Sequence, residues 1–206
     1  MKLYYTKGAC SLASRIIINE LGLPCEYEAV DLVSKKFGSG NNYYTINPKG
    51  AVPALLTNNE EILTENAVIM QYLADTSNAS SLLPRVGDFK RYRVLEWLNF
   101  VATELHKGFS PLFNPSFPQE VKDKIIIPAL KTKFAYINGH LDQNKYLVGD
   151  HFTLPDAYLF VMITWAHHVK INLTDWPQLV AYFSELQKRK AVQHSLKEEG
   201  LQLSMA

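Results

Sequence analysis

The sequence predicts a small α/β domain followed by an all-helical domain, and three observations carry this prediction. Strand-like and helix-like runs alternate up to about residue 77. Residues 78–87 are rich in Ser, Asn, Pro and Gly, which is typical of a linker. From Asp88 onward, over residues 88–206, the apolar residues recur only at helical spacing. The elements predicted within the first domain, residues 1–77, are strands at 2–6, 26–31, 54–57 and 61–63 and helices at 11–22 and 65–76.

The composition limits the classes of function. The 206 residues include 21 basic and 20 acidic side chains, so the net charge of +1 indicates neither a nucleic-acid nor an anionic-membrane partner. The two cysteines, Cys10 and Cys25, are far apart and make no disulfide framework, which favours a reducing compartment. The chain starts directly in a strand pattern without a targeting segment, and we expect a cytoplasmic protein. The histidines have no chelating spacing, so no metal site is predicted.

Cys10 stands directly after the first predicted strand and directly before the first predicted helix. Exposed N–H groups and the macrodipole at a helix N-terminus favour a thiolate, so we expect the pKa of Cys10 to lie well below the ordinary value of about 8.5. Position 13 is Ala13, which excludes a dithiol cycle within a Cys-x-x-Cys motif, so any partner thiol is external. On this residue alone, a buried structural cysteine is the alternative.

The segment from Asn47 to Leu56 combines a turn with a short apolar strand that contains Pro53. Proline gives no N–H to a strand ladder, so either the strand is an edge or the Val52–Pro53 bond is cis. We expect the cis bond, with the N–H and C=O of Val52 left free to pair with an extended ligand as another strand would. An ordinary loop before an edge strand is the alternative.

The helix predicted at 65–76 opens with Glu65 and Asn66. The free N–H groups of a helix start and the Asn66 side chain can receive a carboxylate, and the Glu65 carboxylate can receive an ammonium group. Together these groups suit the head group of an amino acid. The alternative is a routine N-terminal cap with an acidic first turn.

Two motifs of the helical block have different interpretations. Asn99, Thr103 and His106 are spaced four and three residues apart, so a regular helix presents them on one side, either to a polar ligand or to solvent. Thr153 and Asp156 have the spacing of a capping box ahead of an apolar run at residues 157–166. We interpret the box as structural and the helix that follows as the centre of the second domain's core.

Taken in order, these motifs resemble those of glutathione S-transferases, and most of all the bacterial beta class. The resemblance covers nearly the whole chain and implies a thioredoxin-like, glutathione-binding N-terminal domain followed by the all-helical C-terminal domain of that family. The segments that carry it are Met1–Leu12, Asn47–Leu55, Thr64–Glu65, Glu96–Phe100, Thr103–Leu112 and Asp156–Phe160. Two positions depart from the beta-class pattern: Lys7 replaces the usual Pro and adds charge beside the thiol, and Asn66 replaces the usual Ser or Gly.

The resemblance implies a transferase that conjugates the thiol of its co-substrate glutathione to small hydrophobic electrophiles, as in detoxification. Cys10 and His106 are then the catalytic residues. A homodimer is implied as well, with Thr103 and Glu104 near the subunit boundary, so that some contacts come from the partner subunit. The glutathione contacts that the resemblance implies are Cys10, Lys35, Val52, Pro53, Glu65, Asn66, Asn99, Thr103, Glu104, Leu105 and His106.

Within that set, the resemblance assigns each part of glutathione to its own residues. The γ-glutamyl head lies at Glu65 and Asn66, the cysteinyl backbone lies on Val52, and the glycyl end lies near Lys35. Two alternatives use the same residues. Cys10 forms a mixed disulfide with glutathione and acts as a monothiol disulfide reductase or peroxidase, or the chain binds apolar ligands without turnover, which its aromatic content of 12% also suits.

Overall fold

A computed structural model describes residues 1–202 and divides the chain into two compact units. The first unit contains Met1–Ser80 together with the chain from Arg189 onward, and the second contains Ser81–Lys188. The break after Ser80 falls inside the predicted linker. The predicted extent of the helical domain, 88–206, differs from the structure, because the segment after Lys188 packs with the first unit. The last four residues of that range, 203–206, lie outside the described residues.

A single sheet forms the centre of the first unit, with the strand order β4-β3-β2-β1-β5-β6. β1 pairs in parallel with β2 and antiparallel with β5, and β6 adds to β5 as a hairpin. The strands are β1 (Lys2–Tyr5), β2 (Glu26–Asp31), β3 (Lys36–Phe37), β4 (Asn41–Asn42), β5 (Ala54–Leu56) and β6 (Ile62–Thr64). The sequence did not predict β3 and β4, because two residues are too few to show a strand period.

The first unit contains the helices α1 (Ser11–Glu20) and α2 (Asn66–Thr76), which pack against the sheet, and α9 (Lys190–Glu198), which packs against α1. α1 makes the crossover between the parallel strands β1 and β2 and packs against both α2 and α9. Its three consecutive isoleucines, Ile16, Ile17 and Ile18, are fully buried. Because α1 is enclosed by its neighbours, the residue that precedes it, Cys10, is held at a fixed place beyond the carboxyl end of β1.

The second unit is helical throughout, as predicted. Its helices are α3 (Phe89–Phe100), α4 (Lys107–Phe113), α5 (Gln119–Val121), α6 (Ile127–Leu141), α7 (Leu154–His168) and α8 (Pro177–Gln187). Two π-helical segments, Val101–His106 and Lys122–Ile126, join α3 to α4 and α5 to α6 without a break. No helix among the residues that the structure describes is both long and apolar enough to cross a bilayer.

α7 is the core of this unit, and its predicted capping box is confirmed. The Asp156 carboxylate accepts hydrogen bonds from the Thr153 N–H (2.7 Å) and hydroxyl (2.8 Å). It also accepts from the Leu147 N–H (3.0 Å) and from the Tyr182 hydroxyl (2.6 Å), so that it joins the loop before α7 to α8. Burial raises the pKa of Asp156, and these donors oppose that effect. The box is structural, as the sequence indicates.

Candidate active site

Cys10 lies between β1 and α1, at the N-cap position of the helix, as predicted. Its side chain is 5% exposed, and its thiol donates a hydrogen bond to the Val52 carbonyl oxygen at a distance of 3.3 Å. Sulfur therefore lies both at the positive end of a helix dipole and against the main chain of the segment before β5. A Cβ added to Gly200 would lie 3.5 Å from Lys7 Nζ, so the ammonium of Lys7 lies beside the end of α9.

The segment before β5 has the predicted cis bond between Val52 and Pro53. Pro53 is buried, and Val52 lies outside the sheet ladder, which starts at Ala54. The expectation that both main-chain groups of Val52 are free holds in part. Its carbonyl accepts from Cys10, whereas its N–H donates to no recorded acceptor within residues 1–202.

Two buried side chains fix this segment from below. The Tyr43 hydroxyl (2.9 Å) and the Asn47 amide (2.7 Å) both donate to the carbonyl of Ala51, next to Val52. Burial raises the pKa of Tyr43 to about 12, so the phenol stays protonated and remains a donor. The sequence reasoning assigned no role to Tyr43, because nothing local links a tyrosine in a 3₁₀ turn to a carbonyl eight residues later.

Lys35 also reaches this segment. It lies in the turn between β2 and β3 with a positive φ of 56°, and its ammonium donates to the Gly50 carbonyl at 2.8 Å. The structure therefore brings Lys35, Val52 and Cys10 to the same edge of the first unit. The lysine charge is available at the end of the Val52 segment, where the resemblance places the glycyl carboxylate.

Glu65 is the N-cap residue of α2 and lies in an unusual conformation. Its φ is +71°, which is uncommon for a residue other than glycine and costs of order 1–3 kcal/mol. Its side chain is 67% exposed and forms an ion pair with Lys49, whose ammonium also donates to the Thr64 hydroxyl at 2.8 Å. The sequence motif contains Lys49, but its spacing gave no reason to place it at the start of α2.

Asn66 differs from its predicted role. Its amide nitrogen donates to the Cys10 carbonyl (3.0 Å), and its amide oxygen accepts from the Ser14 hydroxyl (2.6 Å), so both ends of the buried side chain bind within the protein. The side chain is therefore committed to joining α2 to the start of α1. The N–H groups of Asn66 and Ala67 at the open start of α2 have no recorded acceptor within residues 1–202, and these can receive a carboxylate.

The predicted residues of the second unit fall in or beside the first π-helical segment, Val101–His106. A π turn contains more residues than an α turn, so successive side chains rotate less around the axis and the predicted common face is lost. Asn99 and Thr103 are exposed, with the Thr103 hydroxyl donating to the Asn99 carbonyl at 3.0 Å. His106 instead lies against α7, where its Nδ1 is 2.5 Å from the Tyr158 hydroxyl and its ring packs edgewise on Trp165.

The two residues between Thr103 and His106 also have partners within the second unit. Glu104 is paired with Lys133 at 2.5 Å on the surface. Leu105 is fully buried, so only its main chain is available to a ligand. Tyr158 is 2% exposed and was not predicted, because its sequence position inside the apolar run of α7 is that of a core residue.

A cavity of about 470 Å³ lies between α3, α6 and the loop that follows α6. Aromatic rings form one wall, with Trp97 4.6 Å from His140 and 5.6 Å from both Phe100 and Tyr136 between ring centroids. None of the predicted site residues lines this cavity. Among residues 1–202 no group of three or more His, Cys, Asp or Glu side chains is arranged to hold a metal ion.

Comparison with known proteins identifies the family. The glutathione S-transferase N-terminal domain family matches residues 9–76, and the glutathione S-transferase C-terminal domain family matches residues 100–190. Glutathione S-transferase GstA of Escherichia coli O157:H7 is 45% identical over 201 residues, which cover 98% of this chain and 100% of that protein. The chain belongs to the glutathione S-transferase family.

Solved structures narrow this class to the bacterial enzymes. The ternary complex of BphK, a bacterial glutathione S-transferase, has a TM-score of 0.94 at 44% identity, over 98% of this chain and 100% of that one. A sphingomonad glutathione S-transferase complexed with glutathione has a TM-score of 0.93 at 40% identity, with the same coverage. The beta-class enzyme of Sphingomonas chungbukensis gives 0.94 at 39%, again with the same coverage. The chain is thus a bacterial glutathione S-transferase similar to the beta class, and the predicted thioredoxin-like domain followed by a helical domain is confirmed.

Proposed function

We propose that the first unit binds glutathione along the edge formed by Lys35, Val52, Cys10 and the start of α2. The observation that carries this proposal is the contact of the Cys10 thiol with the Val52 carbonyl, 3.3 Å apart, beside an open helix N-terminus. A tripeptide thiol laid on Val52 by main-chain pairing brings its sulfur next to Cys10. The complex of the sphingomonad relative with glutathione supports this choice of ligand.

The charges along this edge match those of glutathione. The γ-glutamyl head carries an ammonium and a carboxylate, and the start of α2 offers the Glu65 carboxylate beside free N–H groups. Glu65 is paired with Lys49, and because both side chains are exposed the net energy of this ion pair is small. The ligand ammonium takes the place of Lys49 at Glu65, and the released lysine and the helix N–H groups then both face the carboxylate. Lys35 receives the glycyl carboxylate.

Conjugation requires the glutathione thiolate, because the thiol is a weak nucleophile. A thiol of pKa about 8.5 must be lowered by about two units to be largely ionised at neutral pH, which takes roughly 2.7 kcal/mol. The N-terminus of α1 and the imidazole of His106 are the proposed sources of that energy. The thiolate then attacks a small hydrophobic electrophile, a C–S bond forms as the leaving group departs, and the thiol proton goes to solvent. Asn99, Thr103, Glu104 and Leu105 remain predicted glutathione contacts.

A second candidate reaction uses the sulfur of Cys10 itself. The thiol lies at the N-terminus of α1, where the helix dipole favours the thiolate, so Cys10 is suited to exchange with external thiols. Cys10 attacks a glutathione mixed disulfide, the Cys10–glutathione disulfide forms and the second thiol leaves. A further glutathione then attacks that bond and is released as glutathione disulfide. Neither cysteine is in a disulfide, which fits the proposed cytoplasmic location. We also propose that the protein is a homodimer.

Three assays separate these activities. We expect glutathione-dependent turnover of a chloronitrobenzene-type electrophile, measured beside turnover of a mixed-disulfide substrate and binding of a hydrophobic dye. Cys10→Ala should abolish disulfide turnover and reduce conjugation much less, and His106→Ala should lower kcat. Glu65→Ala should instead weaken glutathione affinity at least about tenfold, the effect expected for an ammonium left without its partner.

Glu61→Ala is the matched control. Glu61 is an exposed residue of the same unit and is not one of the proposed glutathione contacts. It should leave affinity and turnover unchanged. Dye binding without turnover in either assay would contradict the proposal and favour a binding protein. Equal losses of affinity and turnover in all three site variants would show that the roles of Cys10, His106 and Glu65 are misassigned. Light scattering that gives the mass of one chain would contradict the dimer.

A further inference from the structure

A buried arginine in α1 joins the last helix of the chain to the first unit. Arg15 is 2% exposed, with its Nη1 3.4 Å from Glu198 Oε2 and its Nε 3.1 Å from Glu199 Oε1. A guanidinium removed from water is costly unless it is paired, so these two carboxylates are what makes its burial possible. Glu198 and Glu199 lie beyond residue 190, where the match to the C-terminal domain family ends.

Two tyrosine rings hold the guanidinium from the side of the sheet. Arg15 Cζ lies 4.3 Å from the ring centroid of Tyr5 on β1 and 3.7 Å from that of Tyr27 on β2. Both distances are within the range of a cation–π contact, and such contacts are strongest where water is excluded. Arg15 therefore has little freedom to follow a carboxylate that moves, and its charge attracts Glu199 Oε1 at a distance of 3.1 Å.

The second oxygen of the same carboxylate reaches the loop that carries the thiol. Glu199 Oε2 accepts a hydrogen bond of 2.8 Å from the N–H of Gly8, two residues before Cys10. Gly8 has a φ of +71°, a conformation that glycine adopts readily, and the Ala9 N–H donates to the Thr6 carbonyl at 3.0 Å to close the turn. One buried carboxylate thus contacts α1 through Arg15 and the Cys10 loop through Gly8.

Other contacts between α9 and α1 do not involve Glu199. The Asn19 amide donates to the Ser195 hydroxyl (2.9 Å) and to Glu198 Oε2 (2.8 Å), and Arg189 forms an ion pair with Glu20. These contacts keep α9 on α1 when Glu199 alone is changed. The effect of Glu199 on the Cys10 loop can therefore be separated from the docking of the helix.

We propose that Glu199 is a positioning residue for Cys10, holding the Gly8 loop so that the thiol stays buried against Val52, with Arg15 as the fixed support of its carboxylate. Only one part of this proposal, the expected effect of Glu199 on turnover, rests on the proposed function of Cys10. The placement of the thiol itself does not depend on the proposed function. Glu199, which lies outside both matched ranges, then belongs to the thiol site.

The test measures the alkylation rate of Cys10 in the full-length protein, by mass spectrometry of the Cys10 peptide after exposure to iodoacetamide. Glu199→Ala should raise this rate about tenfold, because losing one hydrogen bond to a charged acceptor releases the loop and exposes a thiol that is now 5% exposed. Turnover with glutathione should fall in the same variant. Glu199→Gln, which keeps one acceptor oxygen, should give intermediate values of both quantities.

Glu198→Ala is the matched control, since it removes a neighbouring carboxylate that also pairs with Arg15 but does not contact Gly8. It should lower the melting temperature as Glu199→Ala does and leave Cys10 alkylation within twofold of wild type. Alkylation rates that rise equally in the Glu198 and Glu199 variants would show that both carboxylates only hold α9 against α1, and this result would overturn the proposal. Unchanged alkylation in Glu199→Ala would overturn it as well. Alkylation needs no glutathione, so failure of the proposed transferase chemistry would leave this test decisive.

Discussion

The starts of α2 and α7 solve the same physical problem in opposite ways. Every helix begins with N–H groups that have no partner inside the helix. At the start of α7, Thr153 and Asp156 form a buried box whose carboxylate is saturated with donors. At the start of α2, the N-cap residue Glu65 makes no capping hydrogen bond, faces solvent and carries a strained φ. The first arrangement stabilises the protein, and the second leaves donors available for a ligand.

Asn66 adds a contrast within α2 itself. Asn66 follows the exposed residue Glu65, and both ends of its side chain form hydrogen bonds, one to the Cys10 carbonyl and one to the Ser14 hydroxyl. The start of α2 is therefore held in place, because Asn66 is hydrogen-bonded to Ser14 of α1 and to Cys10, which precedes α1. The starts of α2 and α7 therefore differ in where their side chains point rather than in which residue types they contain.

The largest expected effect in this comparison is that of Asp156→Ala. Four hydrogen bonds to the carboxylate disappear and their buried donors lose their acceptor, each at about 1–3 kcal/mol, so the free energy of unfolding should fall by about 4 kcal/mol or more. Urea denaturation of the variant measures this loss. Asp150→Ala, an exposed aspartate in the same loop, should change it by less than about 0.5 kcal/mol. A small loss for Asp156→Ala would mean that the box does not hold the helical core.

Asn66→Ala should have the next largest effect, a loss of about 2 kcal/mol, because the Cys10 carbonyl and the Ser14 hydroxyl lose a buried partner. Glu65→Ala, one residue away, should change stability by less than about 0.5 kcal/mol, since its ion pair with Lys49 is exposed. Denaturation and glutathione titration of both variants check the division. If Asn66→Ala keeps its stability and loses only glutathione affinity, the side chain binds ligand after all.

Thr153→Ala should have the smallest effect, a loss of about 1 kcal/mol, the usual cost of removing an N-cap residue. Thr64→Ala, at the end of β6 just before α2, should have no measurable effect, because the Thr64 hydroxyl accepts a hydrogen bond from the exposed Lys49 ammonium. Thermal melts of the two variants, run side by side, check the difference. Equal melting temperatures would remove the contrast between the two helix starts.

The features that could be predicted from the sequence are those that depend on residues close together in the chain. The placement of Cys10 between strand and helix, the cis bond before Pro53 and the box at Thr153 each depend on a few adjacent residues, and all three are present. Asn66 was assigned to the ligand because its amide suits a carboxylate, and nothing in its neighbours reveals that Cys10 and Ser14 come within reach. Such choices are made by tertiary packing.

Two other features were beyond sequence reasoning for the same reason. The spacing of Asn99, Thr103 and His106 assumes a uniform helical turn, and the π-helical segment Val101–His106 changes that turn without a sequence signal. The pairing of Arg15 with Glu198 and Glu199 joins residues more than 180 positions apart in the chain. A charged residue directly before three isoleucines indicates that a partner exists, but not where in the chain it is.

The return of α9 to the first unit has a consequence for the order in which the protein is made. Domains generally fold as units as the chain leaves the ribosome, N-terminal first. Here the strands and α1 emerge early, yet the carboxylates for the buried Arg15 emerge only after the entire helical unit has been synthesised. Until then the Arg15 guanidinium, which is buried in the folded protein, lacks its carboxylate partners. The thiol-bearing unit thus begins to fold before the helical unit and is completed after it.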